Sequence, residues 1–435
     1  MPSPKARSWQ QQVFHLGIEA LTAPGAPVAA TKRLGGIRLD PGYDVNTDTV
    51  KAGGSRVSTS ILINTEVMEW DVSGFNSYHD LCYIIASILG APTITALGGG
   101  AYEWLWTAKA RTAPRPQTYT SYWGDEWETL RAAHLYFNEW NIDVTRAALD
   151  FSATARSYAA EYGIAPPQSE IQTITITGAP TGGTFTLTFN GQVTAAIPYN
   201  ATAAQVKAAL EALSTIGADN IVASGGPLPA TAVDVAFAGD FAGTDVALMT
   251  ATAAFTGGAT PAITVATTRT ANVPTGVDPV IIQTKNFDAY LDDSWAALGT
   301  TKLRACYQAN PGFGGQFSEA WTINSANNSF DSIITAEDAD FPVTVQVALD
   351  AVGRGLLENT FRRGNRKYLR IQQNGDIITG TIPYSFRLDS CFYITDPNIV
   401  NGDDVVVATL EGTMAEDPTT GNYAAVRIVN TLAGL

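Results

Sequence analysis

The feature that most constrains the fold is an abrupt change of composition in the middle of the chain. All nine tryptophans lie outside residues 168–275, and within that stretch Lys207 and Arg269 are the only basic residues. The stretch is rich in Thr, Ala and Gly, and prolines mark its two ends at Pro166-Pro167 and Pro274. A shift of domain length with a proline at each seam indicates a separate domain inserted between two flanks.

We therefore predict three domains: residues 1–165 with an N-terminal arm, the insert 168–275, and residues 276–435. The insert contains alternating strand patterns, followed by a helix pattern that Thr202 can cap. These patterns predict a small α+β or Ig-like β module. Nothing in the insert has the spacing of an acid–base pair, a metal site or a phosphate loop.

The two flanks share one order of predicted elements: strand, loop, long strand, one helix, then about three strands. In the first flank the helix begins near Ser77 and ends at Gly90, and in the second it begins near Asp350 and ends at Gly364. The pattern predicts a mainly β fold of sandwich or barrel domains, each with a flanking helix, that arose by divergent internal duplication. The alternative is one larger sandwich whose halves look alike because β proteins share such patterns.

Charge and composition exclude several classes of protein. The formal net charge is −15, which argues against a sequence-reading DNA binder but suits a protein that DNA must pass without sticking. No apolar run is long enough to span a membrane, and the N-terminus has no apolar segment typical of a secretory signal. The three cysteines have no pair spacing, which fits a reducing compartment, and we expect core positions for them: Cys82, Cys306 and Cys391.

The residues that could carry catalysis or bind a metal form no recognisable pattern. His15, His79 and His134 lie far apart, and the Gly-rich segments 98–102 and 312–315 lack the context of a phosphate loop. Three acidic runs also lack the alternating ligands of a calcium loop, and we expect solvated loops or subunit contacts there: 125–128, 337–340 and 401–404. We therefore expect no enzyme, no metal and no cofactor.

Other features favour self-assembly. The one strong basic cluster is Arg362, Arg363, Arg366 and Lys367, which we expect to form salt bridges with acidic neighbouring subunits rather than to contact phosphate. Aromatic residues on long strands are expected to be exposed and to bury themselves between subunits: Trp104, Trp106, Tyr119, Tyr122, Trp123 and Trp127. The polar segment 40–56 and the N-terminal arm are expected to be loops that reach neighbours and become ordered on stacking.

The flanks resemble the major tail tube proteins of long-tailed, siphovirus-type bacteriophages, in particular those of actinobacterial hosts. Three stretches carry the resemblance: the strand pair GGSRVSTSILINTEVMEWDVSG, the helix NSYHDLCYIIASILG, and the ending DDVVVATLEGTMAEDPTTGNYAAVRIVN. The insert, with TGAPTGGTFTLTFNG followed by ATAAQVKAALEAL, is similar to a module found in structural proteins of such phages and in large bacterial surface proteins.

The resemblance implies a structural virion protein of the tail, assembled in the host cytoplasm. Tail tube proteins form stacked rings with six-fold or pseudo-six-fold symmetry, in which one sheet of each unit joins a barrel around an acidic lumen for DNA. The implied partners are further copies of the chain, the tape measure protein, the tail terminator and distal tail proteins, with no membrane. A duplicated unit implies a trimeric, pseudo-hexameric ring, and an unduplicated one a hexameric ring, with the insert projecting outward. The alternative function is a host-surface-binding adhesin or receptor-binding tail protein.

Overall fold

The structure is a computed structural model whose architecture is mainly β, as predicted. The described residues are 13–50, 60–124, 129–145, 149–164, 169–271, 274–283, 287–321, 329–336, 341–401 and 406–435. Within these ranges, none of the helices has the length and apolar character needed to cross a membrane.

The first flank forms ten strands and one helix in its described part. They are β1 (Val13–Ile18), β2 (Lys32–Leu34), β3 (Ile37–Val50), β4 (Ser60–Gly74), α1 (Asp80–Leu89), β5 (Thr93–Gly98), β6 (Ala101–Lys109), β7 (Tyr119–Gly124), β8 (Thr129–Thr145), β9 (Leu149–Tyr158) and β10 (Glu161–Ile164). The Ser77 hydroxyl accepts hydrogen bonds from the backbone N–H groups of His79 and Asp80 at the start of α1, and Gly90, at φ 82°, ends the helix. Because α1 is apolar all round, its side chains are buried on nearly every side.

The insert forms two small sheets, one α-helix and a 3-10 turn at Gly239–Phe241. They are built from β11 (Ile171–Thr177), β12 (Gly182–Phe189), β13 (Gln192–Val193), β14 (Ile197–Pro198), α2 (Ala203–Glu211), β15 (Ile221–Gly225), β16 (Val233–Phe237), β17 (Thr250–Thr256) and β18 (Ala262–Arg269). The predicted cap of α2 is confirmed, because Thr202 and Gln205 exchange hydrogen bonds in a capping box. Phe185, Leu187 and Val206 lie in a core that contains residues of the insert alone.

The second flank contributes the remaining elements. They are β19 (Thr275–Val277), β20 (Phe287–Asp292), β21 (Cys306–Phe313), β22 (Phe317–Ala320), β23 (Ser332–Thr335), β24 (Pro342–Ala348), α3 (Ala351–Gly355), β25 (Lys367–Thr379), β26 (Ile382–Asn401), β27 (Val406–Met414) and β28 (Asn422–Asn430). A π-helical turn, Leu356–Thr360, and a 3-10 turn, Phe361–Arg363, continue α3. Gly364 ends them in the left-handed conformation, as predicted.

The two flanks share one hydrophobic core, although the insert separates them in sequence. That core contains Trp70 and Trp140 from the first flank together with Phe313, Phe386 and Ile428 from the second. Two antiparallel ladders also join the flanks, β8 with β21 and β6 with β28. The flanks therefore form one body, and the insert is attached to it with a core of its own.

Within that body, six antiparallel ladders of the first flank recur in the second. The equivalent pairs are β1–β7 and β20–β25, β3–β4 and β21–β24, β4–β9 and β24–β27, β8–β9 and β26–β27, β7–β8 and β25–β26, and β10–β8 and β28–β26. A helix follows β4 in the first flank and β24 in the second. We call these two sets the first and second repeats.

The equivalence of the repeats extends to single residues. Strand β8 pairs with β9 up to Val144, and β26 pairs with β27 up to Asn401. In both hairpins one extra residue interrupts the ladder at the same distance from that last pair, Asn138 in β8 and Thr395 in β26. Because a β-bulge shifts the register of everything beyond it, two hairpins with the bulge at one position align without ambiguity.

This alignment shows that two short sequence motifs occur in both repeats, which the sequence alone did not indicate. Residues 136–142 read YFNEWNI, and the equivalent residues 393–399 read YITDPNI. Likewise residues 40–43 on β3 read DPGY, and the equivalent residues 310–313 on β21 read NPGF. Each motif is too short and too far from its partner to be recognised without the ladders that align it.

One buried carboxyl group at the start of α1 leads to a prediction about stability. Asp80 is fully buried, and neither carboxyl oxygen has a hydrogen bond of good geometry. Burial raises its pKa to about 6, although the Ser77 hydroxyl and the Gly36 backbone oppose the shift. A raised folded-state pKa means that the chain gains stability below the unfolded-state pKa and loses it as the pH rises through 6.

We therefore expect Asp80→Asn to increase the free energy of unfolding at pH 7.5, by on the order of 2 kcal/mol. The variant should also lose the decline in stability that the wild type shows between pH 5 and pH 7.5. Urea unfolding of the unassembled chain at these two pH values measures both effects. Asp71→Asn, at an exposed position of β4, is the control, and an equal decline in wild type and Asp80→Asn would contradict the prediction.

Candidate functional site: an acidic sheet with two open edges

Eight strands of the two repeats form one continuous antiparallel sheet. Their order is β3, β4, β9, β8, β21, β24, β27 and β26. The ladder between β8 and β21 at the centre joins the first repeat to the second. At the outside, β3 and residues 393–401 of β26 pair on one side only, as far as the structure is described. The sheet therefore has two open edges, one in each repeat.

The sheet presents one apolar and one acidic face. Alternate residues such as Trp70, Val72 and Leu410 enter the core, and the residues between them point to the other face. Among the charged residues at these outward positions, carboxylates predominate: Asp40, Asp44, Glu69, Asp71, Glu139, Asp143, Asp150, Asp396 and Glu411. Within the segments that pair in this sheet, the basic side chains at described outward positions are Arg38 and Arg156. Arg131 of β8 and Arg387 of β26 lie on the parts of those strands that pair with strands outside this sheet.

Both arginines are paired with carboxylates, so the face stays negative. Arg156 contacts Asp44 at 3.2 Å, Glu69 at 2.6 Å and Glu319 at 2.9 Å. Arg38 pairs with Asp40 on the same strand at 2.5 Å. With more carboxylates than cations on one surface, the local potential repels polyanions and attracts small cations.

The hairpin of β22 and β23 covers one end of the acidic face. Phe317 and Phe330 pack there against Tyr136 and Val67, which lie at outward positions of β8 and β4. The Tyr136 hydroxyl donates a hydrogen bond of 2.6 Å to Glu319 on β22. The covered end is thus apolar, and the carboxylates occupy the uncovered remainder.

The open edges expose residues whose equivalents are buried at the centre of the sheet. Ile142 of β8 is 0% exposed, whereas Ile399, its equivalent on β26, is 54% exposed. Phe313 of β21 is 0% exposed, whereas Tyr43, its equivalent on β3, is 45% exposed. At the centre Trp140 stacks on Phe313 across the junction, with ring centroids 5.8 Å apart and planes 9° apart. At each open edge, side chains equivalent to those of the central junction are therefore exposed, because no described strand of the same chain pairs with that edge.

The predicted exposure of the tryptophan cluster is wrong for most of its members. Trp104 and Trp106 are buried and donate their Nε1–H groups to the backbone oxygens of Leu432 and Gly90. They lie on β6, which pairs with β5 and β28 on its two edges, and their side chains belong to the core that the two flanks share. These two side chains thus belong to the core of one chain, so they are not placed to contact a neighbouring subunit.

The other aromatic residues of that cluster divide in the same way. Tyr119 and Tyr122 are buried, and their hydroxyls donate to the backbone oxygens of Tyr83 and Val28. Trp123 is half-buried on β7, between β1 and β8, and a subunit contact there remains a prediction. Trp127, with the acidic run 125–128, lies outside the described residues.

The predicted basic cluster is split by the fold. Lys367 pairs with Asp293 at 2.5 Å, and the Arg366 guanidinium lies 4.9 Å above the ring of Tyr393. These two residues therefore have partners within their own chain. The side chains of Arg362 and Arg363 are exposed on the 3-10 turn after α3, and their salt bridges to a neighbour remain a prediction.

The histidines lie on separate elements and are buried. Burial lowers the pKa of His15 and of His134 to about 4, so both are neutral at pH 7. His79 lies between the Asp278 backbone oxygen at 2.7 Å and the Thr431 hydroxyl at 3.0 Å. Among the residues that the structure describes, no three His, Cys, Asp or Glu side chains are grouped to hold a metal ion.

The polar segment 40–56 was predicted to be a loop, and for its first part that prediction is wrong. Residues 40–50 belong to β3, whose ladder with β4 runs from Ile37 to Val50. Pairing along a whole strand outweighs the local preference of the Pro41-Gly42 step for a turn, since proline is tolerated at a sheet edge. Residues 51–59, the N-terminal arm 1–12 and the acidic residues 337–340 and 402–404 lie outside the described residues.

Two sequence comparisons with known proteins found no match for this chain. No protein-family model matches the chain, and no curated protein matches it in sequence. Functional inference therefore depends on the repeats, the acidic face and the open edges.

Proposed function

We propose that this chain is a structural protein that joins head to tail into rings, which stack into the tail tube of a long-tailed bacteriophage. The observation that carries the proposal is the sheet junction inside one chain. There β8 of the first repeat pairs with β21 of the second, while their equivalents β26 and β3 remain open. A contact between two different surfaces of identical chains closes into a ring when its rotation permits. Closure also removes open edges that would otherwise favour aggregation.

The acidic face supports a role as a conduit for DNA. When a sheet of this kind closes into a barrel, one face turns to the lumen and the other to the packed core. The core face here is apolar, so the lumen face is the one rich in carboxylates. A lumen of like charge lets the genome pass during ejection without binding it.

The repeats support a ring of three chains. Each chain contributes two sheet units, and the tail tube proteins that the flanks resemble build rings of six units. Three chains then complete a pseudo-hexameric ring with eight strands from each chain, whereas six chains would be needed if only one unit of each chain lined the lumen. In the tail, such rings would stack between the distal tail proteins and the tail terminator, around the tape measure protein.

The point of attachment of the insert supports its outward projection. The insert leaves the body after β10 and returns at β19. Strand β10 pairs with the N-terminal end of β8, and β19 pairs with β2. Both attachments belong to strands outside the eight-stranded acidic sheet. The module would therefore decorate the outer surface of the tube, away from the lumen.

Electron microscopy of the purified full-length chain tests the proposal. We expect rings or tubes with a central hole, because both open edges are present on every chain. A protein that stays monomeric at high concentration and binds sugars or bacterial cell walls would overturn it and favour a host-surface adhesin.

A further inference from the structure

The internal junction has a defined register that the open edges can reproduce. Strands β8 and β21 are antiparallel, with Asn141 opposite Gly312 and Trp140 opposite Phe313. Aligning the repeats by their ladders places Asn398 at the position of Asn141, and Gly42 at that of Gly312. It also places Pro397 at the position of Trp140, and Tyr43 at that of Phe313.

The Gly–Asn pair shows why the register is specific. A Cβ atom built on Gly312 would lie 1.9 Å from Oδ1 and 3.0 Å from Cγ of Asn141. A larger residue at position 312 would therefore require the Asn141 side chain to move. Gly42, in the isolated chain, has only the Glu69 backbone oxygen near such an atom, at 3.6 Å. The fold of one chain leaves room for a side chain at residue 42, so no contact within the chain requires glycine there.

The residue types around this asparagine match in the two repeats. Asn141 donates a hydrogen bond of 2.5 Å to Glu139, two residues earlier on β8. The equivalent residues on β26 are Asn398 and Asp396, again an asparagine two residues after a carboxylate. The open edge of the second repeat therefore keeps the residue types that face glycine at the centre.

We propose that neighbouring chains join by pairing β3 of one copy with residues 393–401 of β26 of the next, antiparallel, with Gly42 opposite Asn398 and Tyr43 opposite Pro397. The inference rests on the proposed function and specifies the contact that closes the ring. The ring of Tyr43 then packs on Pro397, as Phe313 packs on Trp140 at the centre. Ile399 becomes buried as Ile142 is.

A matched pair of glycine substitutions tests this junction. We expect Gly42→Val to keep the melting temperature of the unassembled chain within about 2 °C of wild type and to reduce sedimentable tubes at least tenfold. Gly312→Val should instead destabilise the unassembled chain itself, because its side chain meets Asn141 within the fold. The double variant Gly42→Val/Asn398→Gly should recover tubes, since it removes the opposing side chain. Normal assembly of Gly42→Val would overturn the junction.

Cysteine cross-linking tests the register separately. In assembled Tyr43→Cys/Pro397→Cys, oxidation should link chains into covalent oligomers, because directly opposed residues approach disulfide distance. Tyr43→Cys/Ile399→Cys, shifted by two residues on the same side of β26, should link at least fivefold less, and Tyr43→Cys alone should not link. Tubes in which the shifted pair links better would overturn the register and leave the proposed function standing. A wild-type chain that forms no ring would overturn both.

Discussion

Replacement of Ile399 by aspartate is expected to abolish ring formation while leaving the chain folded. Ile399 is 54% exposed on the open edge of β26, so a carboxylate there stays in water in the isolated chain. In a closed ring the same position becomes buried, as Ile142 is at the internal junction. An unpaired charge buried at every junction costs several kcal/mol, and each 1.4 kcal/mol weakens the contact between chains about tenfold.

The matched control is Ile142→Asp, which carries the same substitution at the equivalent position of the first repeat. Because Ile142 is fully buried within one chain, this variant should unfold, or melt well below the wild type. Circular dichroism and sedimentation velocity distinguish the two results. If Ile399→Asp assembles like the wild type, or if both variants unfold alike, the two positions are not equivalent.

Excision of the insert is expected to leave the tube intact. The hydrophobic core of residues 169–271 is made of insert residues alone, and the body has its own core. Joining the two ends by a short flexible linker should therefore disturb little buried backbone. Electron microscopy should show tubes with an unchanged lumen and a smaller outer diameter.

Substitution of a core residue of the insert serves as a control for the excision. Ile174→Asp should unfold the module, because Ile174 is fully buried there, and tubes should still form with a disordered outer layer. If the excised chain is folded and monomeric at concentrations where the wild type forms tubes, the insert belongs to the wall.

Local patterns predicted most of the secondary structure, because helix caps and strand alternation are encoded over a few residues. The chain begins α2 at the capping box of Thr202 and Gln205, and it ends the turns after α3 at Gly364, where the patterns indicate. A separate insert was predicted because the composition alone changes there. The residues of the acidic face were not predicted, because carboxylates on different strands meet only through ladders between distant segments, such as Asp40 with Asp71.

The error about the tryptophans has the same physical origin. Trp104 and Trp106 lie on β6 and are buried in the core that both flanks share, and the strand β28 that pairs with β6 comes more than three hundred residues later in the chain. A strand pattern shows which residues alternate but not which strand will cover them. The repeats were visible in outline for the opposite reason, since each flank keeps its order of elements. Their residue-level match became visible only when the bulges at Asn138 and Thr395 fixed the alignment.

The number of chains in one ring tests the central claim most directly. A cryo-electron microscopy cross-section of assembled tubes should show three chains per ring, with six equivalent sheet units around the lumen and three modules of residues 169–271 outside. Each contact between chains should repeat the junction of β8 with β21 inside a chain. A ring of six chains with six modules, in which only one repeat of each chain lines the lumen, would contradict the account.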